Sequence, residues 1–455
     1  VFISAAHKSS GKTTLTLGLA AALHARGHVV QPFKKGPDYI DPQWLAMAAE
    51  RPCYNLDFHM MRRDEIERQF AHAARGARVS LIEGNKGLYD GLSLDGSNSN
   101  AALAKLLGVP VVLVIDARGM TRGVAPLILG YQAFDCDIRI AGVILNNLGG
   151  SRHESKLRAV IEHYTDAEVI GAVQHDPAMQ ITERHLGLVP ANEQAAARAR
   201  IRHVGERVAA QVDLAALLAI ADAAPPRPVP APLAAAAAGA PVRVAIARDA
   251  AFGFYYSEDL DALRAAGAEL VPFDTLAAAA LPSAIDGLII GGGFPEVFMA
   301  ELEANAALRA SVREALDAGL PAYAECGGLM YLSRSLQWRG QTRQMVGAVP
   351  GDTVMHDRPI GRGYAELVPT GDDRWQERQR IPAHEFHYSS LENLPPDSIF
   401  AYRVTRGHGI DGVRDGYQRH NLLAGYAHRR GAGDLGWIGP FLNQVRAHKA
   451  RVPTP

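Results

Sequence analysis

The chain opens Val1-Phe-Ile-Ser-Ala-Ala6-His-Lys-Ser-Ser-Gly11-Lys12-Thr13-Thr14: a short apolar strand, a turn of small polar residues, and the start of a helix. The spacing is that of a phosphate-binding loop, G-x-x-x-x-G-K-S/T, with Ala6 in place of the first glycine. Such a loop aims backbone N–H groups and a helix N-terminus at phosphates. Gly11, Lys12, Thr13 and Thr14 are therefore expected to hold a nucleotide. Lys12 would reach the β/γ oxygens, and the Thr13 hydroxyl would ligate Mg²⁺. A chance Gly-Lys-Thr at a helix start is the plain alternative, and the strand–loop–helix placement argues against it.

Outward from this loop, apolar runs alternate with helical patterns. Strands are expected at Val1–Ala5, Val29–Phe33, Val79–Glu83, Val109–Asp116, Ile138–Asn146 and Val169–Val173, with helices such as Lys12–Arg26, Ser99–Leu107 and Arg122–Gln132 between them. Alternation of this kind means βαβ units and a parallel sheet covered on both faces. Ala221–Pro241 is almost entirely Ala and Pro and reads as an interdomain linker. Beyond it the pattern restarts with Val242–Ala247, Glu269–Phe273, Gly287–Ile290 and Ala322–Glu325. The expectation is α/β: two doubly wound domains, 1–220 and 242–455, joined by 221–241. Past about Ser335 the strand pattern fades.

Ligands of open α/β sheets bind at the carboxyl ends of the strands. Two segments stand there: Phe33-Lys-Lys-Gly-Pro-Asp38-Tyr-Ile-Asp-Pro42 and Glu83-Gly-Asn85-Lys86-Gly-Leu-Tyr-Asp90-Gly91. Each alone is ordinary turn chemistry; two of them beside a phosphate loop point to function. Acidic groups there, Asp38 and Glu83, are candidates to complete a Mg²⁺ shell with Thr13. Lys35 would neutralise charge during phosphoryl transfer. Asn146 could read a purine edge, although Asn also suits turns.

Ala324-Glu-Cys326-Gly327-Gly328 follows a strand and precedes a helix, the setting of a nucleophile on a sharp turn with a lowered thiol pKa. Gly291-Gly292-Gly293 ends another strand, and Gly292, Gly293 and Gly327 could supply oxyanion-hole N–H groups. His428 is the candidate base, with His384 and His387 as competitors.

With these motifs in hand, the sequence resembles the glutamine-dependent cobyrinic acid a,c-diamide synthases over essentially its whole length. Phe33–Pro42, Glu183–Leu188, Ala247–Tyr256, Gly291–Glu296 and Ala324–Gly328 carry the resemblance. It implies an ATP-dependent amidoligase resembling dethiobiotin synthetase, a P-loop NTPase, joined to a class I glutamine amidotransferase. By position it makes Asp38, Glu83 and Asp90 the active-site carboxylates, Cys326 the glutaminase nucleophile and His428 its base. Cys326 would release ammonia from glutamine; ATP and Mg²⁺ would activate a peripheral acetate of a tetrapyrrole as an acyl-phosphate. The family usually has small or apolar residues where this chain has Asn85 and Lys86, and Gly96-Ser-Asn98-Ser99-Asn100 is unusually rich in Asn. Arg430 stands where a second His is common. Asn85, Lys86 and Asn98 are thus expected at the acceptor. The Asn-Lys variant resembles a related group that amidates sirohaem for dissimilatory sulfur metabolism, which makes sirohaem or its precursor the alternative substrate. The plain reading of Asn98 and Ser99 is that they cap the helix that follows.

Composition closes off other classes. Among 455 residues, 47 Lys plus Arg balance 48 Asp plus Glu, so nothing drives the chain toward nucleic acid or an anionic membrane. The longest apolar strand-like run, Val109–Ile115, falls far short of the roughly 18 residues of a membrane span. Three cysteines, Cys53, Cys136 and Cys326, are too few for a disulfide scaffold. No secretory leader is visible, and the start at Val1 implies a few missing residues. A cytoplasmic enzyme is expected, and a homodimer is allowed for. The rival from another class is a partitioning-type switch ATPase with a silent second domain. Its signature Lys would stand where this chain has His7, with Lys8 one place late, and a silent domain has no need of a Cys–His pair.

Overall fold

Strand β1 (Phe2–Ala5) is buried at all four positions, as a non-alternating apolar run requires. In the computed structural model it is the centre of a seven-stranded sheet. The other strands are β2 (Val30–Lys35), β3 (Tyr54–Leu56), β4 (Val79–Glu83), β5 (Val111–Asp116), β6 (Ile140–Leu148) and β7 (Val169–Gln174). Their order is β3-β2-β4-β1-β5-β6-β7, and every pairing is parallel. The sequence runs outward from β1 in both directions, so the loop after β1 opens at the point where strand order reverses, the usual ligand crevice of such sheets. The structure describes residues 1–181, 183–184, 187–193, 196–225, 239–371 and 378–451.

Helices α1 (Lys12–Ala25), α2 (Ile40–Ala49), α3 (Arg63–Ala73), α4 (Asn100–Leu107), α5 (Val124–Phe134) and α6 (Ser151–Tyr164) connect the strands. Helices α7 (Ala197–Ala209) and α8 (Leu214–Asp222) follow them. The expected strands and helices are present, with ends shifted by a few residues. The three-residue edge strand β3 is additional, too short to leave a pattern. The chain forms two compact units, Val1–Leu233 and Ala234–Pro455. Most of the Ala/Pro-rich linker, 226–238, lies outside the described residues, as do 185 and 186 of the Glu183–Leu188 motif. That motif's ends form a hairpin of β8 (Glu183–Arg184) and β9 (Gly187–Leu188).

The second unit departs from expectation. Its parallel strands are β10 (Val242–Ala247), β12 (Ala268–Phe273), β13 (Gly287–Ile290), β15 (Ala322–Glu325) and β24 (Leu422–Gly425). β11 (Phe252–Phe254) and β14 (Gly292–Gly293) form a separate two-stranded antiparallel pair outside that sheet. The chain then builds β16 (Ser335–Trp338), β17 (Gln341–Gln344), β18 (Asp352–Met355), β19 (Gly361–Pro369), β20 (Ile381–His387), β21 (Ser389–Glu392), β22 (Ile399–Arg406), β23 (Arg414–Arg419) and β25 (His428–Arg429). The large sheet is β12-β10-β13-β15-β24-β23-β22-β19-β20-β25, parallel through β24 and antiparallel beyond. It is therefore mixed, not purely doubly wound. Strands such as Gly361–Pro369 carry polar residues because antiparallel strands can face water on one side, and so they leave no continuous apolar run. Only Tyr426 and Ala427 separate β24 from β25, yet these strands lie five places apart in the sheet. The antiparallel half must curl back, and that return lays β20 against β25, opposite His428. Among the described residues no helix is long and apolar enough to cross a membrane.

Candidate active site

In the first unit, Gly11 caps α1 in a left-handed conformation (φ 84°), and a Cβ there would come within 2.2 Å of Asn146 Nδ2. The Asn146 amide instead donates to the Ser10 carbonyl at 2.9 Å. Asn146 thus braces the phosphate loop from β6. Tyr131 donates to the Ala6 carbonyl from α5. Lys12 is buried at the first turn of α1. Burial pulls its ammonium down to about 8, against the raising effect of Glu83, Asp41 and Asp90.

Strand register assembles the charges around Thr13. Glu83 sits opposite both Ile3 of β1 and Lys34 of β2. Thr13 Oγ1 donates to Glu83 Oε1 at 2.5 Å and approaches Asp41 Oδ2 at 3.4 Å. Lys34 Nζ binds Asp41 Oδ2 at 2.5 Å and Glu83 Oε1 at 2.9 Å. Burial alone would lower the Lys34 ammonium, but Asp41, Glu83 and Asp38 hold it well above the lysine range. Burial also raises the Glu83 carboxyl, which Lys34 opposes. Sequence reasoning named Lys35 here and passed over Lys34 and Asp41. The signal was strand alternation, since adjacent lysines on a strand point to opposite faces.

Asp38 is placed differently from expectation. Its Oδ1 accepts from the Ile40 and Asp41 N–H groups at 2.8 and 3.1 Å, capping α2, and its Oδ2 stands 3.9 Å from Lys34. The carboxylate beside Thr13 is Asp41, one turn along, so Asp41 replaces Asp38 as the geometric candidate for the cation. Asp90 accepts from Gly87 N at 2.8 Å, closing a turn that keeps it near Lys12. Asn98 binds Leu92 N, Ser93 N and Ser93 Oγ, and Ser99 caps α4 through Ala102 N. Asn98 thereby braces its own loop. Asn100 Nδ2 holds the Asn85 and Gly87 carbonyls at 2.6 and 2.8 Å. Asn85 and Lys86 follow β4, the first half-buried and the second exposed.

The oxygens at Thr13 fit a hard divalent cation. Glu83 Oε2 is buried without a hydrogen-bond partner among the described residues, an orphaned oxygen that a cation would satisfy. Among the described residues no three His, Cys, Asp or Glu side chains form a metal cage. A Mg²⁺ ion at this place would be held by one or two carboxylates, the Thr13 hydroxyl and phosphate oxygens.

The second unit gathers another cluster. Cys326 has φ 48° and ψ −102°, a sparsely populated backbone region for a nucleophile at the end of β15. Parallel pairing places Glu325 beside Gly425, and Cys326 N donates to the Gly425 carbonyl at 2.7 Å. Three residues later comes His428, 3.4 Å from Glu325 Oε2 through Nδ1. Burial would lower the imidazole, but Cys326 and Glu325 push it up to about 10. Glu325 went unassigned in the sequence, although it precedes the nucleophile directly. Its Oε1 accepts from Arg429 N at 3.0 Å and from the Tyr323 hydroxyl.

Of the competing histidines, His384 stacks behind His428 at 4.9 Å and meets Tyr256 OH. His387 bonds the Ser389 carbonyl and stacks on Tyr426. The glycine run closes over the same spot. A Cβ on Gly292 would come within 2.8 Å of His428 Cε1, and one on Gly327 within 2.9 Å of Gly293 N. Gly292, Gly293 and Gly327 are thus brought together with Cys326 and His428.

Known proteins share both halves. Residues 243–432 match the family described as CobB/CobQ-like glutamine amidotransferase domains, and residues 1–181 match an AAA domain family. The chain is 48% identical to the cobyrinate a,c-diamide synthase of Magnetococcus marinus, over 100% of this chain and 98% of that one. It is 44% identical to the enzyme of that name from Methanosarcina acetivorans, over 95% and 92%. For the one from Listeria monocytogenes the identity is 39%, over 94% and 95%.

Proposed function

The chain belongs to the cobyrinate a,c-diamide synthase family, and on that premise we propose that it amidates the a and c acetate carboxylates of a cobyrinic-acid-type tetrapyrrole. It is a glutamine-dependent amidating ligase that binds ATP. The observation that carries the proposal is the pairing, in one chain, of the Thr13–Glu83–Lys34 cluster beside a phosphate loop with the Cys326–His428–Glu325 cluster. A switch ATPase needs only the first.

In the glutaminase half, the Cys326 thiolate attacks the glutamine carboxamide, and N–H groups around Gly292, Gly293 and Gly327 receive the developing oxyanion. His428 gives a proton to the departing ammonia, held in place by Glu325. Water then hydrolyses the thioester to glutamate, regenerating the thiolate. In the ligase half, an acceptor carboxylate oxygen takes the γ-phosphoryl of ATP, releasing ADP. Ammonia adds to the acyl-phosphate carbonyl, inorganic phosphate leaves, and one proton is lost. Lys12 and Lys34 offset charge on the phosphoryl group. Thr13, Asp41 and Glu83 would hold Mg²⁺, which supplies charge neutralisation at the β/γ oxygens when bound.

Incubation with ATP, glutamine and cobyrinic acid, read by product mass, tests this reading. The expected products are the mono- and diamide. Cys326→Ser should lose glutamine-driven product and keep it with added ammonia. No amide from any tetrapyrrole polycarboxylate would overturn the proposal. Sirohaem or its precursor is the second acceptor we carry, because Lys35, Asn85 and Lys86 place polar, cationic groups near the ligase cluster. A higher kcat/KM for sirohaem than for cobyrinic acid decides for it.

A further inference from the structure

Lys35 is not used by the chemistry above, and its placement is unusual. It is only 5% exposed, at the carboxyl end of β2. Among the described residues its Nζ has one hydrogen bond, a long one of 3.3 Å to Asn85 Oδ1, and no ion pair. Burial pulls its ammonium down to about 8; Lys86 and Lys34 repel it, and only Asp57 acts the other way. Asn85 spends its oxygen on Lys35, and its Nδ2 donor has no partner among the described residues. Gly36, which follows Lys35 at φ 92°, leaves that donor uncovered; a Cβ there would stand 3.2 Å from Asn85 Nδ2. A buried ammonium and a spare amide N–H side by side form a pair of donors without an acceptor.

Their position says which acceptor fits. β2 is separated from β1 by β4, so Lys35 stands two strand spacings, roughly 9–10 Å, from the strand that launches the phosphate loop. Lys12 and Lys34 already serve the phosphates. Yet the segment after β4 links the two places: Asn85 meets Lys35, while Leu88 N donates to the Ala5 carbonyl and Asp90 lies near Lys12. An acceptor with carboxylates spread around a macrocycle could present one at the phosphate loop and rest another at the far end of this segment.

We propose that Lys35 Nζ and Asn85 Nδ2 bind a non-reacting carboxylate of the acceptor, fixing which of its carboxylates faces the phosphoryl donor. This rests on the ligase reading above. It reassigns Lys35 from the nucleotide to the acceptor, and Lys86 adds positive charge at the mouth of the same subsite.

The test uses whichever of cobyrinic acid or sirohaem the wild-type enzyme amidates, with ammonia as nitrogen source. Lys35→Met should raise the acceptor KM, and its Kd read from the tetrapyrrole absorbance without ATP, by roughly 10- to 100-fold, the worth of a charged hydrogen bond. The ATP KM and the glutaminase rate should stay unchanged, which also reports that the variant folds. Asn85→Ala should act in the same direction, and Lys35→Arg should restore much of the affinity. An unchanged acceptor KM and Kd in Lys35→Met, or a rise confined to the ATP KM, overturns the subsite. If wild type amidates no tetrapyrrole, the ligase reading itself has failed, which is a separate result.

Discussion

Thr13 shows how much a single residue can organise. Its hydroxyl lies 2.5 Å from Glu83 and 3.4 Å from Asp41, while Asp38 is occupied in capping α2. The three carboxylates should therefore differ in their effect on the cation. Glu83→Gln and Asp41→Asn should each raise the Mg²⁺ concentration needed for half-maximal ATP use about tenfold or more, since hard cations need ionised oxygen ligands. Asp38→Asn should leave the Mg²⁺ requirement near wild type and act instead on the start of α2. Mg²⁺ titration of ATP hydrolysis in the three variants checks this; equal shifts for Asp38 and Asp41 would contradict the geometry. The residue scale also explains a misreading. Phe-Lys-Lys-Gly-Pro-Asp offered two lysines and one evident carboxylate, and only side-chain direction separates Lys34 from Lys35.

The element that decides the glutaminase site is the short segment from Gly425 to Ala432. Three buried carboxylates pin its backbone. Asp415 accepts from Tyr426 N and Ala427 N, both at 2.9 Å, and Glu325 accepts from Arg429 N. Asp259 accepts from Gly431 N and Ala432 N, both at 2.8 Å. His428 rides between these anchors. Asp415→Asn replaces one acceptor oxygen by a donor facing an N–H, which should cost about 1–3 kcal/mol. We expect a lower inactivation temperature and a glutaminase rate reduced about tenfold, with ammonia-driven amidation retained. A rate equal to wild type would mean the anchors do not set the position of His428. In the sequence, Asp259 and Asp415 look like any aspartate on a helix or strand, because their partners are main-chain N–H groups far along the chain.

Across the second unit as a whole, burying carboxylates links stability to pH. Burial, then the neighbouring Glu258, pushes the Asp259 carboxyl up from 3.8 to about 8, against Arg430 and the two N–H groups. A raised carboxyl binds its proton more tightly folded than unfolded. Its contribution is thus fully present below 3.8 and is lost as pH rises through about 8. Asp259→Asn cannot titrate there. Between pH 6 and pH 9 the wild type should therefore lose heat resistance relative to that variant, measured as the temperature of half-inactivation of glutaminase. A gap between the two that does not change with pH would show that Asp259 does not carry this linkage.

The sequence by itself determined the phosphate loop, the parallel strands of both units, the strand–Cys326–helix turn and the family. Each is a local pattern: an apolar run, a glycine beside a lysine, or a cysteine between a strand and a helix, and local patterns survive in one dimension. The antiparallel half of the second sheet was not legible, because its strands mix polar and charged residues with apolar ones and carry no continuous apolar signal. Only the tertiary structure decided which charges meet. Parallel register set Glu83 against Lys34 and against β1, whose loop leads to Thr13, and the pairing of β15 with β24 brought His428 to Glu325 and Cys326. Pairing between distant segments depends on strand order and side-chain direction, and these are fixed when the whole core packs, not by any stretch of residues alone.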